Sequence, residues 1–84
     1  MIMEKRAFIK AVLTKVFRKV RFYQTFTLAE AAGPVWYNAK PSLRRQAAKE
    51  IKISILLKTV TGIVFVDKTS SGTLIYKRVP TKDS

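Results

Sequence analysis

What most constrains this chain is a stripe of apolar residues near its start. Phe8, Ile9, Val12, Leu13, Val16, Phe17 and Val20 recur at helical spacing, and on a helical wheel they fill one half-circle. The other half carries Arg6, Lys10, Thr14, Arg18 and Arg21. Lys15 and Lys19 fall at the boundary, where their stems can lie on apolar surface while the ammonium groups reach water. Residues 4–21 therefore predict a helix with one face for a core and one that is strongly cationic. A chain of 84 residues is enough for one compact domain and too short for two. The remainder must supply whatever covers the stripe.

Phe22, Tyr23, Gln24, Thr25 and Phe26 are aromatic and polar in the manner of a short strand. Thr27-Leu28-Ala29-Glu30 has the form of a capping box, in which the Thr27 hydroxyl accepts from the backbone at Glu30 and the carboxylate reaches back. The short helix that it opens, through Ala32, should stop at Gly33-Pro34. A loop from Pro34 to Pro41 carries Val35, Trp36 and Tyr37. Pro41 and Ser42 suit the first turn of another helix, with Leu43, Ala47, Ile51 and Ile55 as its i, i+4 stripe and Arg45, Lys49 and Lys52 opposite. Between Ile51 and Lys58 the residues also alternate as a strand would, and a helix to Lys58 is the preferred reading. Ile63–Val66 and Thr73–Val79 are β-branched and aromatic, and the turn-rich stretch from Asp67 to Gly72 joins them as a hairpin. Pro80 to Ser84 reads as a polar, frayed end. The expected fold class is α+β, three helices followed by a C-terminal β-hairpin. Phe8, Phe17, Phe22, Phe26, Phe65 and Tyr76 are the expected core aromatics. Trp36 and Tyr37 either plug the gap between helices, the preferred reading, or stack on unpaired bases.

Charge carries the functional argument. Lys plus Arg number 17 against 5 Asp plus Glu, a net charge of +12. So much like charge on a small domain costs stability through self-repulsion, and a polyanionic partner is the simplest reason to keep it. Catalysis is not expected. There is no His, the acids are scattered, and no Gly-rich phosphate loop or Cys/His zinc spacing is present. Hence no cofactor and no metal are expected, and the absence of Cys rules out a disulfide framework. No apolar run reaches the ~20 residues that span a bilayer, so no membrane is expected. The acid-poor, amphipathic residues 4–21 also fit a mitochondrial presequence or a membrane-surface helix, but they read as integrated with the rest of the chain. The expected location is cytoplasmic, at the nucleoid, or nuclear in a eukaryote.

The order helix, strand, helix, helix, Gly, hairpin resembles the winged helix-turn-helix family. Residues 26–33 stand for its second helix, Ser42 through Leu57 for its third, and Gly62 through Arg78 for the wing. One departure is the connection from Gly33 to Pro41, longer than the three or four residues usual between those helices. The resemblance implies a single winged-helix-like domain over residues 1–84 that binds duplex DNA as a regulator of the kind found in viruses and mobile elements. Its third helix would enter a major groove with Ser42, Arg44, Arg45, Gln46, Lys49 and Lys52 toward the bases and backbone. Arg44 falls toward the apolar arc, so Arg45, Gln46 and Lys49 are the stronger readers. Arg matches guanine O6/N7 and Gln matches adenine N6/N7. Lys68 and Ser70 at the wing tip, with Lys10, Arg18, Lys77 and Arg78, would contact phosphates. RNA or an acidic protein are the alternative partners, and a homodimer would use the face of residues 4–21.

Overall fold

In the computed structural model, residues 4–81 are described. The amphipathic stripe folds as helix α1, Lys5–Lys19. It buries Phe8, Val12 and Val16 completely, while Arg18 and Lys19 sit in the last turn, where cations suit the negative end of the helix dipole. The strand expected over 22–26 shrinks to β1, Thr25–Phe26. Phe22 and Tyr23 instead form a turn, with Tyr23 in the left-handed region at φ 69°.

The capping box forms as expected. The Glu30 amide donates to Thr27 Oγ1 over 3.2 Å, and the Thr27 amide donates to Glu30 Oε1 over 3.1 Å. It opens α2, Leu28–Ala32, which ends at Gly33. Gly33 adopts φ 58° and ψ −127°, a conformation that side-chain-bearing residues rarely reach, so the chain can end one helix and start another within one residue. The loop expected next contains a one-turn helix, α3, Pro34–Tyr37, with Pro34 in its first turn. The long connection between the second and third predicted helices is thus partly helical.

Helix α4 runs Pro41–Leu56, which resolves the helix-or-strand ambiguity of residues 51–58 in favour of helix and ends it two residues early. Lys58 takes φ 62°, and the Thr59 amide and hydroxyl both donate to the Ser54 carbonyl. That satisfies a carbonyl the helix leaves without a partner. The hairpin consists of β2, Ile63–Lys68, and β3, Leu74–Arg78. β1 pairs with β3 antiparallel, so the three-stranded sheet has the order β1-β3-β2. Val66 forms a bulge between Phe65 and Asp67. The architecture is α+β and winged-helix-like, with the third predicted helix followed by the hairpin.

The core lies between α1, α2, α4 and one face of the sheet. Phe8, Val12 and Val16 meet Leu28, Ala31 and Ala32 from α2 and Ala47, Ile51 and Ile55 from α4. Tyr76, fully buried on the central strand, touches Phe26 and Phe65, each with a ring-centroid separation of 6.0 Å. Trp36 stacks on Phe8 at 5.7 Å, so it plugs the gap between helices, whereas Tyr37 beside it is exposed. Two of the expected core aromatics are not core. Phe17 is 38% exposed and Phe22 is 54% exposed. Of the expected frayed end, Pro80 is exposed and Thr81 is half-buried near Gly62; residues 82–84 lie outside the described region.

Candidate nucleic-acid interface

On α4 the buried positions Ala47, Ile51 and Ile55 set the orientation of the helix. Ser42, Arg45, Gln46 and Lys49, at i, i+3, i+4 and i+7, then share the outward face and are all exposed. None of the four makes a side-chain hydrogen bond or ion pair with another described residue. Arg44 behaves differently. It is half-buried on the core side, and its Nε is shut off from solvent. Lys52 is half-buried as well, with its ammonium 5.4 Å from the centre of the Phe65 ring, so it bridges α4 to β2.

At the hairpin tip Thr69 makes the bracing contacts. Its hydroxyl meets Ser71 Oγ at 3.0 Å and accepts from the Thr73 amide at 3.0 Å. Its carbonyl accepts from the Gly72 amide at 2.9 Å. This braced turn presents Lys68 and Ser70 to solvent. Lys77 sits mid-strand on β3, half-buried, opposite Thr25 on one neighbour and Val64 on the other.

Lys10 and Arg18 are exposed on α1, where they rim a shallow depression with Arg6; Ile9, Leu13 and Phe17 form its floor. Arg78 is engaged elsewhere. One guanidinium nitrogen donates to the Val20 carbonyl at 2.9 Å and to the Phe17 carbonyl at 3.3 Å, at the end of α1. The group also lies against two rings, 4.7 Å from the centre of Phe17 and 4.8 Å from that of Phe22. Arg78 thereby fastens the end of β3 to the end of α1.

Three of the acids are spent locally. Glu30 is in the capping box, Glu50 pairs with Lys5 at 3.2 Å, and Asp67 Oδ1 accepts from the Lys68 amide at 2.7 Å. None of them neutralises Arg45, Lys49, Lys10 or Arg18. The structure thus gathers most of the sequence candidates into three groups, on α4, the hairpin tip and α1, takes Arg44, Lys52 and Arg78 into packing, and leaves Lys77 apart on β3.

Two features escaped the sequence reading. Ile53, Leu56 and Leu57 leave the end of the outward α4 face apolar, with exposures of 45%, 58% and 70%. Their wheel positions, opposite Ile51 and Ile55, carried the signal. Phe22 and Tyr23 stand exposed beside Arg21, and no local sequence signal marks them as exposed. No helix of the described residues is long and apolar enough to cross a membrane. No protein-family model, curated protein or solved structure matches the chain.

Proposed function

We propose that this chain is a small, non-enzymatic protein of the winged helix-turn-helix type that binds duplex DNA and acts as a regulator. One observation carries the reading. The N-terminal half of α4 presents a face of Ser42, Arg45, Gln46 and Lys49 that is exposed, free of acidic partners among the described residues and oriented by its own buried stripe. In this reading α4 lies in the major groove, Lys68 and Ser70 hold the adjacent backbone, and Lys10 and Arg18 add attraction without reading sequence. A DNA partner places the protein at the nucleoid or in a nucleus. A homodimer would bring together the apolar floor of α1, Ile9, Leu13 and Phe17, and sedimentation of the complex reads its stoichiometry directly.

Fluorescence anisotropy against labelled duplexes of varied sequence, at two salt concentrations, tests the proposal. Phosphate contacts from Lys10, Arg18 and Lys68 alone give a slope of log affinity against log salt of about −3, from roughly −0.9 per phosphate. Arg45→Ala is expected to weaken the preferred sequence by about 1–3 kcal/mol and to leave poor sequences little changed. Absence of duplex binding at low salt overturns the proposal.

A further inference from the structure

The turn between α1 and β1 carries two large aromatic side chains that the fold leaves largely in solvent. Tyr23 is 68% exposed and Phe22 is 54% exposed. Tyr23 also occupies φ 69°, a left-handed conformation that Asn, Asp and Gly adopt far more readily than an aromatic residue. Folding alone would be better served by a small or polar residue there. The turn is nevertheless well fixed. The Arg21 amide donates to Gln24 Oε1 at 3.0 Å, the Gln24 amide to the Arg21 carbonyl at 3.1 Å, and the Arg78 amide to the Gln24 carbonyl at 3.0 Å. The Arg78 guanidinium, anchored on the end of α1, lies against the Phe22 ring. The surroundings are cationic, since Arg18, Lys19 and Arg21 are exposed and make no ion pair among the described residues.

We propose that this turn is a second nucleic-acid subsite, at which Phe22 and Tyr23 stack on unpaired bases while Arg18, Lys19 and Arg21 hold the flanking phosphates. Exposed aromatic rings among cations are the chemistry by which proteins take unpaired strands, because every base offers a π-face and every nucleotide a phosphate. A braced turn loses little conformational entropy when a base docks on it. The subsite lies at the far end of the sheet from the hairpin tip. Arg78, next to the turn, pairs with Ile63, whereas Leu74 at the tip pairs with Lys68, a separation of about 13 Å along the strand. Duplex held by α4 and the hairpin would therefore leave the turn to engage an overhang, a fork or a melted flank. The inference rests on the proposed binding of duplex DNA through α4 and the hairpin.

The test compares a blunt duplex with the same duplex bearing a short unpaired oligothymidine tail, and with one whose tail is abasic and so keeps the phosphates without bases. Wild-type protein is expected to prefer the thymidine tail over both. Tyr23→Asn, which suits the left-handed backbone and so folds at least as well, should lose about fivefold or more of the affinity for that tail. Phe22→Leu, which keeps apolar bulk but no π-face, should do the same, and both variants should bind blunt duplex as the wild type does. Equal binding to abasic and thymidine tails, or variants that keep the preference, overturns the subsite and leaves the duplex reading intact. Failure to bind blunt duplex overturns that reading whatever the tail does. A uridine ribonucleotide tail, run alongside, decides whether DNA or RNA better supplies the bases.

Discussion

Replacing Arg78 separates two roles that charge alone would not distinguish. As a phosphate contact, its loss would weaken DNA binding and leave the fold untouched. The structure instead makes it a fastener between residues 58 and 61 positions apart in sequence. The part-buried bond to the Val20 carbonyl, at 2.9 Å, is charge-assisted, a class that contributes about 1.5–3 kcal/mol. The bond to the Phe17 carbonyl is longer, 3.3 Å, and exposed, and adds little. Contacts with the rings of Phe17 and Phe22 contribute about 0.5–1 kcal/mol each at such accessible sites. Because one side chain makes all of these, they do not add fully, and Arg78→Ala is expected to cost about 2–4 kcal/mol.

That is a large share of the roughly 4–13 kcal/mol available to a domain of this length. It should lower the melting temperature by about 10–30 °C. Arg78→Lys keeps the charge but lacks the planar group, so it should lose about half as much. Urea and thermal denaturation followed by circular dichroism measure both variants. At a temperature where Arg78→Lys is folded, its affinity for duplex DNA should match the wild type. If Arg78→Ala melts with the wild type yet binds duplex several-fold more weakly, the side chain serves phosphate and the structural reasoning is refuted.

Two further perturbations test the fold. Thr27→Ala breaks the capping box and should cost about 1 kcal/mol, read as a lower urea midpoint with an unchanged slope; an unchanged midpoint would mean that water caps α2 equally well. Tyr76→Phe should be neutral or stabilising by up to about 1 kcal/mol at pH 7, since the buried hydroxyl has no hydrogen-bond partner among the described residues. Burial pushes the Tyr76 hydroxyl from 10.0 up to about 12. Below pH 10 its contribution is fully present; above it the unfolded chain ionises while the folded one cannot, and stability is lost as pH rises toward 12. That loss is about 1.4 kcal/mol per unit of pKa difference. Tyr76→Phe should therefore resist alkaline unfolding better than the wild type. Coincident alkaline transitions would show that the hydroxyl is not insulated from solvent.

Whatever depends on near neighbours was legible in this sequence. The capping box spans Thr27 to Glu30, the α1 stripe repeats within single turns, and the hairpin strands flank their own turn, so each could be read from a short window. The outward α4 residues Ser42, Arg45, Gln46 and Lys49 were legible for the same reason, since a buried stripe on a helix dictates its opposite face. Where the reading went astray, the deciding partner was distant or the local signal ran the other way. Phe22 has the composition of a core residue, but the left-handed backbone at Tyr23 turns the chain before a strand can begin. Arg78 has the composition of a surface cation, but α1 ends beside it with carbonyls in need of a donor. The two surprises are one structure, because the side chain withdrawn from solvent is what supports the ring left in it. On so basic a protein, assigning cations to a ligand by charge alone overcounts them. Those that fasten the fold must be set aside first, and what remains on α4, the hairpin tip and the α1 end is the surface available to a polyanion.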